Sequence, residues 1–184
     1  MNRYLLLGTV CAALALFAWQ TLSNTALQWH ELTLSEFTEP NVVVAAMNVA
    51  APESGMYVHE RGIVAAVSMV PGVTDRSALL GIMLVRQVVL NLIAAFLLAL
   101  VVARLRLPPL RAALVLGTTA LAAGVILELS NWNWYGFPLP YVLVNVADVA
   151  INAAIAGLVL GWFARRLPPA QAAAAAPARE AVAA

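Results

Sequence analysis

The chain has 184 residues, 63% of them hydrophobic and only 10% charged, with a mean hydropathy of +0.88 and a formal net charge of +1. Soluble domains are nearer half apolar and a quarter charged, so the composition excludes an ordinary soluble globular protein and points to a membrane protein. Cys11 is the single cysteine, which excludes an intrachain disulfide and any cysteine-built metal cluster.

The first element is an apolar run from Tyr4 to Ser23. A hydrocarbon core of about 30 Å needs roughly 20 such residues. Met-Asn-Arg precedes it as it would a signal peptide, but the run is long for one and no small-x-small site follows Trp19-Gln20. Residues 1–23 therefore read as a retained anchor. Valine directly before Cys11 does not suit a lipoprotein cleavage site, so Cys11 reads as a small helix residue.

Residues 24–78 form a polar insertion, too short for a large core of its own and with no disulfide to staple it. "TEPNVVVAAMNVA", residues 38–50, predicts a short helix with Thr38 as its cap and Pro40 in its first turn. "GMYVHERGIVAAVSMV", residues 55–70, predicts two β-leaning runs about Glu60-Arg61-Gly62, a hairpin, with an interfacial helix over 62–70 as the rival.

Three more spans follow within residues 79–167: Leu80–Ala103, Ala112–Leu129 and Tyr141–Phe163. Between the last two, "SNWNWYGFPLPY" supplies Trp132, Trp134 and Tyr135 as interface aromatics, a role Trp19 would share on the first span. Residues 168–184, rich in Ala and Pro, read as a disordered tail.

Charge placement gives a direction. Arg3 precedes the first span, Arg104, Arg106 and Arg111 fill the link between the second and third, and Arg165 and Arg166 follow the fourth. The insertion carries six acidic residues (Glu31, Glu36, Glu39, Glu53, Glu60, Asp75) against two Arg. By the positive-inside tendency both ends are cytoplasmic and the insertion lies outside, which four spans require. The expected fold is an all-α, four-transmembrane-helix bundle with a small extracytoplasmic α or α+β insertion, in a bacterial inner membrane.

Heights along the spans follow from the cytoplasmic Arg residues at 1.5 Å per residue: Arg86 sits about 27 Å above Arg104, and Glu128 and Asp148 each about 25 Å above Arg111 and Arg165. Asn91 and Asn152 lie about 20 Å up. Asn145, Asp148 and Asn152 share one helical stripe, as do Gln87 and Asn91 on their own span. Polar groups in lipid are expensive and turn inward, so Arg86 is expected to pair with Asp148 or Glu128 in a polar layer, structural or transporting. Ala153, Gly157 and Gly161 form a small-residue ridge for close helix packing, which ends at Val149 and so restricts close approach to the inner half of the span.

Other chemistries find no support. His30 and His59 each precede a glutamate and are the only candidates for a metal, with nothing in their spacing to demand one. With no histidine in a span, bis-His haem ligation inside the bundle is excluded. No phosphate-cradling loop, H-E-x-x-H motif, nucleophile elbow or basic stripe for nucleic acid occurs. No cofactor is expected.

"WNWYGFP" (Trp132–Pro138), Asp148 ten residues on, "AGLVLGWF" (Ala156–Phe163), Trp19 with Ser23, and "PESGMY" (Pro52–Tyr57) resemble an uncharacterised group of small bacterial four-span membrane proteins. The resemblance implies the architecture above over most of residues 4–166 and no activity. Taken together, the residues predict a non-enzymatic accessory, assembly or interaction protein, with lipid, a membrane or periplasmic protein, or a second copy as partners. The rivals are a small transporter or ion pathway through the Arg86, Glu128 and Asp148 layer, and a periplasmic metal-handling protein using the two histidines.

Overall fold

A computed structural model describes residues 3–60, 62–67 and 76–166. In chain order these form helix α1 (Arg3–Thr25), a 3-10 turn (Glu31–Thr33), helix α2 (Pro40–Ala50), strands β1 (Gly55–His59) and β2 (Ile63–Val67), and helices α3 (Arg76–Leu105), α4 (Pro109–Tyr135) and α5 (Leu139–Arg166). The chain is mostly helical, with four long apolar helices and one small two-stranded sheet. Helices α1, α3, α4 and α5 are each long and apolar enough to cross a membrane. The tail expected to be disordered, residues 168–184, lies outside the described residues, as do Arg61, Asp75 and residues 68–70 of the rival helix.

Proline and glycine set the helix ends. Pro109 opens α4, where a missing N–H costs nothing. Gly136 closes it at φ 70°, a left-handed conformation that glycine adopts freely, and its N–H and that of Phe137 reach the Trp132 and Asn131 carbonyls at 3.2 and 3.4 Å. This cap lies later than the sequence suggested: the helix runs past Leu129, so Trp132 and Trp134 are helical residues instead of loop residues. α2 likewise begins one residue on from the expected cap, with Glu39 before Pro40 and no side-chain cap from Thr38. The hairpin forms in the register Gly55↔Val67, Tyr57↔Ala65, His59↔Ile63, which rules out an interfacial helix over residues 63–67. Gly62, at φ 79°, makes its tight turn.

Helix α5 packs against α1, α3 and α4, and α1 also packs on α3. α1 runs antiparallel to α3 and α5, and α4 antiparallel to α5, while α3 and α5 run parallel. At one end the Tyr4 hydroxyl donates to the Ala99 carbonyl at 3.1 Å, and Gly8 lies against Leu160 and Phe163. At the other, Trp19 reaches Asp148 and Gln20 reaches Asn91. These are called below the Tyr4 end and the Asp148 end. The core between them is built of small and mid-sized residues such as Ala12, Leu16, Ala95, Ala99, Ala156 and Leu160.

The small-residue ridge is used within the chain. A Cβ on Gly157 would stand 2.6 Å from the Ala112 carbonyl oxygen, and one on Gly161 2.5 Å from Pro109 Cα. Backbones approach this closely only where side chains are absent. Ala153 is buried in the same core. Close approach is not confined to the Tyr4 half, however. Gly117 faces Ala154 and Gly124 faces Val146 and Val149, so α4 supplies the small residues beyond the point where the α5 ridge ends.

Candidate functional site

Trp19 and Ser23 stand four residues apart on α1 and therefore share a face. Both point at Asp148 on α5. Trp19 Nε1 donates to Asp148 Oδ1 at 2.8 Å and Ser23 Oγ donates to the same oxygen at 2.7 Å. The chain then folds back over them. Gln28 takes a positive φ of 53°, uncommon for a residue with a side chain, and the 3-10 turn follows. This return brings Trp29 Nε1 to Ser23 Oγ at 2.7 Å and sets His30 Nε2 3.2 Å from that oxygen and 3.8 Å from Asp148 Oδ2. The Trp29 ring meets Trp19 and His30 edge-on, at 6.4 and 5.8 Å.

Proton bookkeeping fixes the roles. Ser23 is wholly buried and has one proton, which goes to the carboxylate. Its oxygen then accepts from Trp29, and His30 satisfies it in the tautomer that carries its proton on Nε2. Serine, histidine and aspartate are together, yet they are not a catalytic triad. The hydroxyl is committed to the carboxylate, not to the imidazole, both groups address the same ring nitrogen, and no solvent reaches Ser23. The chemistry available is that of a clamp: a carboxylate on α5 holds α1 and the segment after it.

The expected ion pair does not form. Among the described residues no ion pair joins Arg86 to Asp148 or Glu128; His30 Nε2 lies 3.8 Å from Asp148 Oδ2, an ion pair only when the imidazole is protonated. Arg86 is exposed, about 100° around α3 from Gln87, which faces α1. Matching heights along the spans did not fix which side of α3 faces inward. Glu128 is half-buried on α4 with no ion-pair partner among the described residues. The carboxylate at this level is met instead by uncharged donors from α1.

One turn from the clamp, α1 and α3 share three amides. Asn91, 3% exposed, donates to Gln20 Oε1 at 2.8 Å and accepts from Gln20 Nε2 at 3.2 Å. Gln87 Nε2 donates to both Gln20 Oε1 and Asn91 Oδ1, at 3.2 and 3.1 Å. This closed set leaves Gln87 Oε1 as an uncommitted acceptor and one N–H of Gln20 as an uncommitted donor among the described residues. Asn152 on α5 is less well served, its Oδ1 being buried without a partner, as is Thr9 Oγ1 on α1.

Above the amides a cavity of about 690 Å³ opens between α1, α3 and α5. Gln20, Gln87, Asn145 and Tyr141 give it polar walls, His30 and Leu34 roof it from the returning segment, and Phe17, Leu80, Met83 and Leu84 supply its apolar side. Thus Asn91, Asn145 and Asp148, placed in one layer by the sequence, all lie at this end, while Arg86 is turned outward. Trp132, Trp134 and Tyr135 are exposed at the end of α4 as interface anchors would be. Trp19 is not such an anchor, because its indole N–H is spent on Asp148. Among the described residues no group of three or more His, Cys, Asp or Glu could hold a metal ion. His30 serves the clamp and His59 lies on β1.

Trp29 and the partnership of Ser23 with His30 were missed from the sequence. The signal was there in part: Trp19 and Ser23, at four-residue spacing, are polar-tipped residues on one face of an otherwise apolar helix. Comparison with known protein families, curated proteins and solved structures finds no match to this chain.

Proposed function

We propose that the chain is a non-enzymatic, multi-pass protein of a bacterial inner membrane that acts as an accessory or binding protein through its Asp148 end. The membrane reading rests on the four long apolar helices and on their exteriors, where residues such as Leu84, Val85, Leu114, Ile126 and Leu127 are exposed in numbers that water would not tolerate. Arg3, Arg104, Arg106, Arg111, Arg165 and Arg166 belong to the Tyr4 end, which favours N-in and C-in with the Asp148 end toward the periplasm.

One observation carries the functional reading: Asp148 Oδ1 is engaged by Trp19 and Ser23 and Oδ2 is approached by His30 at 3.8 Å, so the carboxylate ties α1 and the cavity roof to α5. A photoreactive residue at Leu34, on that roof, tests it in native membranes against one at the exposed Leu114 on α4. A discrete adduct at Leu34, lost in Asp148→Ala and missing at Leu114, is expected. Equal, diffuse labelling at both positions would refute it.

The rival of a small ion or proton pathway draws on Glu128, unpaired among the described residues, and on the unsatisfied Asn152 Oδ1. It requires flux in proteoliposomes that Glu128→Gln abolishes.

A further inference from the structure

Resting on that binding reading, we infer that the cavity takes the uncharged, hydroxyl-bearing head of an amphiphile whose acyl chain leaves along α3 over Leu80, Met83 and Leu84. The cavity, about 690 Å³ and open on one side, has room for a small polar head while leaving a way out for a chain. The charge is more decisive. Among the described residues lining the cavity there is no Arg, Lys, Asp or Glu, and the His30 imidazole is turned to Asp148, with Nε2 3.8 Å from Oδ2, so no fixed cation there would offset a phosphate or carboxylate. The Asp148 carboxylate stands behind His30 and adds no attraction for an anion.

What the walls offer is hydrogen bonding of both senses. The uncommitted Gln87 Oε1 accepts and the spare N–H of Gln20 donates, side by side, a pattern that a hydroxyl matches because it also does both. Tyr141 and Asn145 face them with side-chain polar atoms uncommitted among the described residues. Thr21, Asn24 and Thr25 are already bonded to α1 carbonyls and contribute no spare donor proton from either hydroxyl. The apolar wall then specifies a tail. Leu80, Met83 and Leu84 are exposed, so this side of the cavity is continuous with the apolar exterior of the bundle and a chain can lie from one to the other without meeting water.

The chain reconstituted in phosphatidylcholine vesicles and irradiated with a photoactivatable monoacylglycerol provides the test, with phosphatidic acid carrying the same acyl probe in parallel. Adducts are expected on residues 17–25 and 80–87, from the monoacylglycerol and not from the anion. Unlabelled monoacylglycerol should compete at least tenfold better than free glycerol, which separates a tethered head from a soluble one. Gln87→Leu should cut labelling about fivefold, the effect of one lost neutral hydrogen bond. Tyr141→Phe, which keeps the ring and so the fold, should cut it about twofold to fivefold.

Equal labelling by the anion, competition by glycerol as good as by the monoacylglycerol, or labelling unchanged in both variants would each overturn the ligand assignment. A Leu34 adduct that survives those results leaves the binding reading standing and removes only this ligand. Loss of the Leu34 adduct removes the binding reading itself.

Discussion

The clamp makes a quantitative prediction. Asp148→Ala removes the acceptor of two hydrogen bonds, and the two stranded donors differ in what they can recover. Ser23 is fully buried and its one alternative acceptor is His30 Nε2, 3.2 Å away and only in the other tautomer, so its hydroxyl pays about 2 kcal/mol. Trp19 is half-buried and regains some solvent, which places it near the lower limit of that range. The sum is about 3 kcal/mol, a fall in Tm of roughly 6–12 °C for a chain of this size. Hydrogen bonds between membrane helices average only about 0.6 kcal/mol in double-mutant cycles. These two end on a carboxylate and are therefore charge-assisted and stronger. Trp19→Phe alone should cost about 1.5 kcal/mol. Because its donor has no acceptor once Asp148 is gone, the double variant should fall short of additivity by about 1 kcal/mol. Denaturation of the purified chain in mild detergent, followed by circular dichroism, measures all four corners. Additivity to within about 0.5 kcal/mol would refute the clamp.

The same assay separates the clamp from the ion pair that charge alone suggested: Arg86→Gln should change stability by no more than about 0.5 kcal/mol and show no coupling to Asp148→Ala. Thr9→Val replaces a buried, unpartnered hydroxyl with a methyl of the same shape and should stabilise by about 1 kcal/mol, read as a rise in Tm. Gly157→Ala drives a Cβ into the Ala112 carbonyl 2.6 Å away and should cost about 1–3 kcal/mol, whereas Gly81→Ala meets nothing within 4 Å and should be neutral or slightly stabilising. Gly136→Ala, also in open space, should still cost about 1–2 kcal/mol because of its φ of 70°.

What could be read from the sequence was governed by period and level. Four apolar runs of the right length announce four helices, and the four-residue spacing of Gly157 and Gly161 announces a close contact. Heights counted from the Arg residues put Asp148 about 25 Å and Asn91 about 20 Å up, and the structure joins Asp148 to Trp19 and Asn91 to Gln20. Azimuth was not legible. Arg86 and Gln87 are one residue apart, and only the packing of α3 on α1 decides that the amide turns inward and the guanidinium outward. Nor was the return of residues 26–34, because it depends on a left-handed Gln28 that no glycine or proline marks. The aromatic stretch was placed correctly at an end, but its helix ran on to the one residue, Gly136, able to stop it.

Asp148 is separated from Trp19 by 129 residues and from Ser23 by 125. A ribosome delivers α1 first and α5 last. Until α5 arrives Trp19 and Ser23 therefore wait without the Asp148 acceptor, and the segment that roofs the cavity is held only by the contacts of Trp29 and His30 with Ser23. Only arrival of the fourth apolar helix completes the set. A chain truncated before α5, or one that inserts α5 upside down, keeps three long helices yet leaves the returning segment held to α1 alone. The carboxylate contacts are thus the last of the set to form, and protease sensitivity of residues 26–34 is expected to fall once α5 has packed on α1.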